Sequence, residues 1–301
     1  MCGIVGYTGH KAASEIIIDS LKKLEYRGYD SAGITLHDKK LVTTKKEGPI
    51  ANLEEVLEKS SSKIGIGHTR WATHGIPSDV NAHPHMDESE KIAVVHNGTI
   101  DNYLAIRDDL EAEGHKFLSD SDTEVLPVLL SKYYDGNLVE AMSKVLDQIE
   151  GIFTIAAIHF DNPDEIVSVR YETPLVIGLG NGENYVASDV YAILKYTQQI
   201  IYPKDYEIVK VTSDSIEVFD RSLKNLEYEV ETVEEYTEVA EKGGFEHFML
   251  KEIFEQPKAL QDSLTELFVE SPLDNLDLSW KIGNISIVAC GTSYHAGLVG
   301  K

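Results

Sequence analysis

The chain has 301 residues, long enough for one large domain or two ordinary ones. Its 51 acidic residues outnumber its 27 basic ones, and the formal net charge of −24 would repel the phosphates of a nucleic acid. Two cysteines at opposite ends offer no disulfide framework, and neither an export signal nor a long apolar stretch is present. We therefore expect a cytoplasmic protein that binds neither nucleic acid nor membrane.

The first part of the chain mixes short strands with amphipathic helices. Four β-branched segments bounded by Gly, Asp or Lys predict strands at 2–7, 31–37, 63–70 and 91–97. Between the first two segments, apolar residues recur with helical spacing at Ala13, Ile17, Leu21 and Leu24. This stripe predicts a core-facing helix that stops at Gly28.

Two further helices and a run of strands follow. Ser121 and Glu124 fit a capping box, which predicts a helix start, and apolar spacing predicts another helix from Leu138 to Ile149. Strand-like segments separated by turn residues then fill 151–220, as in antiparallel hairpins. Helices in one segment and hairpins in another predict a layered α+β domain with two stacked sheets.

A change in composition marks the end of this domain. Residues 227–241 hold seven Glu and no Lys or Arg, as expected of a solvated linker or an exposed helix. We therefore assign 1–226 to the first domain, and 227–280 to a linker and a helix interrupted near Pro257. A buried strand at 285–289, followed by a Gly-Thr-Ser turn, predicts that 281–301 begins a second domain that the chain does not complete.

Cys2 is a candidate nucleophile. Its small side chain permits removal of Met1, which would leave a thiol and an α-amine on one residue. The α-amine has a reference pKa near 8, so its neutral form could accept the thiol proton. Two other interpretations are a small apolar residue that starts a strand and a lipidated cysteine. The second is disfavoured because no apolar export segment precedes Cys2.

Many polar residues lie between 67 and 102, more than core packing requires. Asn97 and Gly98 follow a predicted strand and offer a side-chain amide and a backbone N–H, the donors of an oxyanion hole. The alternative for Asn-Gly is a plain turn. Arg70 could hold a substrate carboxylate through a bidentate pair, or it could be a surface charge.

Histidines are concentrated in the same part of the sequence, so a metal site is a second hypothesis. They are His68, His74, His83, His85 and His96. The spacing of His83 and His85 occurs among metal ligands. Pro84 between them and the absence of a local acidic or thiolate cluster disfavour a closed zinc site, so we expect hydrogen-bonded loop histidines and no metal.

Longer segments resemble the class II glutamine amidotransferases, whose nucleophile is an amino-terminal cysteine. MCGIVG is typical of the whole family, whereas LEYRGYDSAG, HTRWATHG, NAHPH, VVHNGTI and SDTEV resemble its fructose-6-phosphate-using branch. The similarity continues through KEIFEQP to ACGTSY, which resembles the start of a sugar-isomerase domain. The resemblance implies a four-layer αββα amino-terminal-nucleophile sandwich, followed by a truncated α/β sugar-isomerase segment.

The same resemblance implies roles for individual residues. Cys2 would be the nucleophile, and Asn97 and Gly98 would form the oxyanion hole. Arg70 and Asp122 would hold the α-carboxylate and α-amine of L-glutamine, a pairing that selects an amino acid over a simple amide. The remaining substrate-binding positions would be Trp71, Thr73 and His74 on a loop closing over glutamine, Arg27 near the site, and Gly291, Thr292 and Ser293 around a sugar phosphate.

The expected reaction is hydrolysis of L-glutamine to glutamate and ammonia, without a cofactor. In the intact enzyme the ammonia would pass to fructose-6-phosphate. Because the isomerase segment stops at Lys301, we expect no glucosamine-6-phosphate from this chain. Two alternatives are a non-catalytic regulatory fragment that binds glutamine or a partner chain, and a histidine metal-binding protein. A second copy of the chain, in a homodimer, is a further partner to consider.

Overall fold

The computed structural model describes residues 2–233, 245, 248–265, 286–289 and 291–301. The chain divides into two compact units, Met1–Glu241 and Lys242–Lys301. The strands, all in the first unit, are β1 Gly3–Thr8, β2 Ser31–His37, β3 Leu41–Glu47, β4 Ile64–Arg70, β5 His85–Met86, β6 Ile92–Ile100, β7 Gly151–His159, β8 Ile166–Tyr171, β9 Val176–Leu179, β10 Asn184–Ala187, β11 Gln199–Ile201, β12 Ile208–Val211, β13 Ile216–Phe219, β14 Asn225–Leu226 and β15 Glu231–Thr232. The helices of this unit are α1 Ala13–Leu24, α2 Ile50–Val56, α3 Tyr103–Ala112, α4 Val125–Tyr133 and α5 Leu138–Leu146, with 3₁₀ turns at Glu25–Arg27, Asp122–Glu124 and Val190–Ala192.

Two antiparallel sheets form the centre of the first unit. The eight-stranded sheet has the order β15-β11-β9-β10-β1-β4-β2-β3. The seven-stranded sheet has the order β14-β13-β12-β8-β7-β6-β5. Neighbours in a sheet are often far apart in sequence, as where Val5 of β1 pairs with Ala187 of β10.

Three apolar clusters show that the sheets are stacked between two layers of helices. Successive side chains of a strand point to opposite faces. Thus Ile4 of β1 packs between the sheets, whereas Val5 packs under α1 and α2. In β6, Val95 likewise faces the other sheet and Val94 faces α3, α4 and α5. The order of layers is helix, sheet, sheet, helix, which confirms the predicted four-layer α+β fold.

Helix α1 has the stripe that the sequence predicts. Ala13, Ile17, Leu21 and Leu24 are fully buried. Glu15 in its first turn and Lys22 and Lys23 in its last turn match the helix dipole. After Leu24 the chain makes one 3₁₀ turn and leaves helical conformation at Gly28.

The other predicted elements differ in detail. The side chain of Ser121 accepts a hydrogen bond from Thr123 N, but Glu124 turns away from Ser121 and accepts bonds from Leu118 N and Ser119 N at 2.8 and 2.7 Å. The capping box is therefore only half formed. Helix α5 ends at Leu146, three residues before the predicted end, although Ile149 is still buried.

The second unit departs from prediction at two places. Helix α6, Phe248–Thr265, continues through Pro257, where an interruption was expected. Residues 286–289 are not in a strand, and Ile287 and Val288 are exposed, because no described segment pairs with them. Helix α7 is Gly291–Gly300. The acidic segment 234–241 and residue 285 lie outside the described residues, and the described helices include none that is long and apolar enough to cross a membrane.

Candidate active site

Cys2 lies at the end of β1 beside β4. Gly3 of β1 pairs with Thr69 of β4. Cys2, the residue before Gly3, contacts Trp71, the residue after the end of β4. The Cys2 Sγ atom accepts a hydrogen bond from Trp71 N at 3.2 Å and lies 3.5 Å from Trp71 O. Burial raises the pKa of the Cys2 thiol, and the Trp71 N–H and the nearby Arg70 charge oppose that rise. The thiol is therefore neutral at pH 7 and needs a base to act as a nucleophile.

Asn97 and Gly98 lie within β6, so the alternative of a plain turn is wrong. The Asn97 Nδ2 atom donates a hydrogen bond to the carbonyl oxygen of Cys2 at 3.1 Å. Gly98 has a φ of +115°, and a Cβ atom at this position would lie 1.9 Å from the carbonyl oxygen of Ile152 on β7. Glycine is required here because L side chains rarely adopt this conformation and the space is filled.

Arg70 is the last residue of β4 and is buried, so it is not a surface charge. Its Nη2 atom donates a hydrogen bond to the carbonyl oxygen of His74, but its buried Nη1 atom has no hydrogen-bond partner among the described residues. Burial lowers the pKa of the guanidinium, and Asp30, Cys2 and Asp122 oppose that shift. A buried donor without a partner is costly, so Arg70 is suited to an anionic ligand.

Asp122 is a buried carboxylate on the 3₁₀ turn that precedes α4. Its Oδ2 atom accepts a hydrogen bond from Ile100 N at 2.9 Å, which fixes the carboxylate at the end of β6. Its Oδ1 atom lies 3.9 Å from His74 Nδ1. The arrangement leaves Oδ1 directed toward the 71–75 loop, where it can accept from an ammonium group.

The 71–75 loop connects these groups. Trp71 is half exposed and packs edge-on against Tyr29, with ring centroids 5.6 Å apart. Thr73 Oγ1 lies 3.3 Å from His74 Nδ1, and the His74 ring contacts Tyr103 edge-on at 5.2 Å. The loop is also anchored by a hydrogen bond from Ala72 N to the carboxylate of Asp30, although the sequence assigned Asp30 no role. The signal was in the YRGYD segment, of which only Arg27 was assigned.

The Arg27 side chain is fixed by two neighbours. Its guanidinium forms an ion pair with Asp189 and donates a hydrogen bond to Tyr26 OH at 2.9 Å. The neighbouring Gly28 packs against the backbone of Arg70, since a Cβ atom at Gly28 would lie 2.7 Å from the carbonyl carbon of Arg70. The Arg27 side chain also lines a cleft of about 380 Å³, and its expected role near the site stays a prediction.

Gly291, Thr292 and Ser293 belong to the second unit. They form the first turn of α7, where Gly291 has a φ of +59°, and they are exposed. Backbone N–H groups at a helix start favour an anion. Their assignment to a sugar phosphate stays a prediction.

Four of the five clustered histidines are buried behind the site. They are His68, His83, His85 and His96. The His68 and His83 rings stack with centroids 4.2 Å apart. Burial lowers the pKa of each, that of His68 to about 3. In the part of the chain that the structure describes, no three His, Cys, Asp or Glu side chains are grouped so as to hold a metal ion.

Known proteins match this chain in sequence and in fold. A family model described as a glutamine amidotransferase domain matches residues 68–195. A solved structure of glutamine phosphoribosylpyrophosphate amidotransferase from B. subtilis, complexed with ADP and GMP, has a TM-score of 0.65 and 26% identity and covers 74% of this chain and 50% of that chain. The first unit therefore has the amino-terminal-nucleophile fold and contains the glutamine amidotransferase domain matched at residues 68–195.

The chain is similar over its whole length to proteins named glutamine–fructose-6-phosphate aminotransferase (isomerizing). Those of Clostridium tetani, Caldanaerobacter subterraneus and Aquifex aeolicus are 49%, 50% and 48% identical to it. Each alignment covers 100% of this chain and 51% of the relative, so the chain spans about half the length of these proteins. The resemblance inferred from the sequence is thus confirmed.

Proposed function

We propose that the chain hydrolyses the side-chain amide of L-glutamine to glutamate and ammonia, with Cys2 as nucleophile once Met1 has been removed. The main support is that one site collects a half-buried thiol, an amide donor and an unpaired buried guanidinium nitrogen. These belong to Cys2, Asn97 and Arg70. A metal-dependent function lacks comparable support, because the buried histidines do not form a metal-binding group among the described residues.

The reaction begins with proton transfer from the thiol. The α-amine of Cys2, freed by removal of Met1, accepts this proton, which is needed because burial raises the pKa of the thiol. The thiolate then forms a bond to the amide carbon of glutamine. The resulting oxyanion accepts hydrogen bonds from Asn97 Nδ2 and Gly98 N. Collapse breaks the C–N bond, ammonia leaves with the proton, and water hydrolyses the thioester to glutamate and the free thiol.

Two charged groups orient the substrate. Arg70 Nη1 donates to the α-carboxylate of glutamine, which gives the buried nitrogen a partner. The α-ammonium is placed at Asp122 Oδ1, where His74 now lies 3.9 Å away. Trp71, Thr73 and His74 cover the bound substrate from the 71–75 loop. This arrangement requires both an acid and an amine on the substrate and so rejects simple amides.

The wider reaction is inferred from the relatives. Their names specify fructose-6-phosphate as acceptor, so ammonia made here is passed to that sugar in the intact protein. The supporting features of this chain are the amidotransferase domain and the Gly291–Ser293 turn. A cytoplasmic location, a homodimer and the failure of this chain alone to make glucosamine-6-phosphate stay predictions. Light scattering of the purified chain measures whether it is a dimer.

The experiment that tests this proposal compares the two cysteines. Purified protein is checked for Met1 by intact mass, and glutamate and ammonia are measured with L-glutamine as substrate. We expect equal amounts of the two products, loss of both in Cys2→Ala, and retention of both in Cys290→Ala. Activity in Cys2→Ala, or in protein that still carries Met1, would refute the mechanism. Glutamine binding without turnover by the Met1-free protein would favour the non-catalytic fragment.

A further inference from the structure

His68 makes a contact that the proposed chemistry does not yet use. It is fully buried on β4, the strand that also carries Arg70. Its Nε2 atom lies 3.0 Å from Asn97 Oδ1 and 3.0 Å from the carbonyl oxygen of His96. His68 therefore contacts the side chain of the oxyanion-hole residue from the side away from Cys2.

The partners define which atoms are donors. The carbonyl oxygen of His96 can only accept, so His68 must carry its proton on Nε2. The carbonyl oxygen of Cys2 can also only accept, so the Asn97 amide must present its nitrogen to Cys2 and its oxygen to His68. Both ends of the Asn97 carboxamide are thus determined. Burial keeps the imidazole neutral, since its pKa is lowered to about 3.

A reversed amide would oppose catalysis. It would place Asn97 Oδ1 against the carbonyl oxygen of Cys2 and against a developing oxyanion. The second N–H of Nδ2 would then be directed away from the substrate. A side chain in the place of His68 that could only accept a hydrogen bond would favour the reversed amide. The N–H donor of His68 prevents that reversal.

We propose that His68 is a positioning residue, which holds the Asn97 carboxamide with its nitrogen toward Cys2 and so forms the oxyanion hole before substrate binds. This inference rests on the proposed function. His68 does not touch the substrate and transfers no proton. Its effect on the reaction passes entirely through Asn97.

The test uses two amides of different length. Histidine Nε2 and glutamine Nε2 are each three bonds from Cβ, so His68→Gln keeps the donor, whereas His68→Asn is one methylene short. We expect His68→Asn to lower kcat about tenfold, the value of one hydrogen bond, with KM for glutamine within about twofold. His68→Gln should keep kcat within about threefold of the parent. His159→Asn, at a buried histidine stacked on Tyr134, is the control and should leave kcat unchanged.

A double-mutant cycle separates positioning from a structural role. In an Asn97→Ala background, His68→Asn should cause no further loss of kcat, and the rate of Cys2 alkylation by iodoacetamide should be unchanged. Equal kcat in the two His68 variants, or losses that multiply with Asn97→Ala, would overturn the inference. If His68→Asn does not fold, His68→Phe, which keeps a ring against His83, replaces it. Full activity in Asn97→Ala would instead refute the proposed oxyanion hole.

Discussion

Replacing Gly98 with alanine should perturb the proposed oxyanion hole and the sheet together. Gly98 lies in β6 opposite Phe153 of β7, two residues from the end of the longest strand pairing in the seven-stranded sheet. A Cβ atom there would lie 1.9 Å from the carbonyl oxygen of Ile152, and its φ is +115°. The Gly98→Ala substitution therefore adds both a left-handed alanine and a collision with backbone.

The two contributions have different sizes. A left-handed alanine costs about 1–2 kcal/mol, and the lower entropy of the unfolded chain returns about 0.5 kcal/mol. The collision is more severe, because the neighbouring atom belongs to the backbone and cannot rotate away, so β6 and β7 must separate by about an ångström. Overpacking of this kind costs about 1–3 kcal/mol. The total for Gly98→Ala is about 3 kcal/mol.

Gly114 provides the matched control. Its φ is +102°, but nothing lies within 4 Å of an added Cβ atom. We expect Gly114→Ala to lower the free energy of unfolding by about 1 kcal/mol and to keep full glutaminase activity. Urea unfolding followed by circular dichroism measures both variants, and the same samples give kcat. Equal destabilisation of the two variants would show that the collision is absent and that the β6–β7 geometry is wrong.

Two further predictions concern the arginine and the buried histidines. Arg70→Lys leaves one ammonium to serve both the His74 carbonyl and the substrate carboxylate, so KM for glutamine should rise about 10- to 100-fold. The control is Arg107→Lys, at an exposed pair with Glu111, which should not change KM. An unchanged KM in Arg70→Lys would show that Arg70 does not bind the substrate carboxylate. The pKa values of His68, His83 and His85 are lowered in the folded state, so the unfolded chain binds more protons as the pH falls. The contribution of these histidines to the free energy of unfolding is therefore full above the unfolded pKa of about 6.5 and decreases below it. Between pH 7 and pH 5 the decrease is about 2 kcal/mol per histidine. Urea unfolding at both pH values should show that the free energy of unfolding falls about 2 kcal/mol less in His85→Leu than in the parent protein. An equal fall in the two proteins would show that His85 is not held neutral by burial.

The central strands were predictable because both of their faces are buried. Residues in β6 and β7 alternate between two apolar clusters, which gives nearly continuous β-branched runs. Strand β3 and helices α2 and α3 were not predicted. In α3 only Ile106 and Leu110 are buried, and in β3 only Leu41 is, so their apolar patterns are weak. Sheet order was unreadable because strands such as β1 and β10 pair across most of the domain.

The site residues were predictable by type, but their contacts were not. The local sequence left a plain turn open as an alternative for Asn97 and Gly98, and a surface charge as an alternative for Arg70. Asn97 and Gly98 are explained by partners distant in sequence, Cys2 and Ile152. Arg70 is explained by its burial and by the loop that follows it, where the carbonyl oxygen of His74 accepts its hydrogen bond. The contact of His68 with Asn97 also depends on the stacking of two sheets, which no local pattern specifies.

The two sheets contribute different halves of the site. Cys2 and Arg70 are at the ends of β1 and β4 in the eight-stranded sheet, whereas Asn97 and Gly98 lie on β6 of the seven-stranded sheet. The distance between the proposed nucleophile and the proposed oxyanion donors is therefore set by the apolar cluster between the sheets, which includes Ile4. Because interiors are closely packed and transmit strain, that cluster acts on the geometry of the reaction as well as on stability. The hydrogen bonds from His68 to Asn97 and from Asn97 to Cys2 cross the same boundary and tie the two halves together.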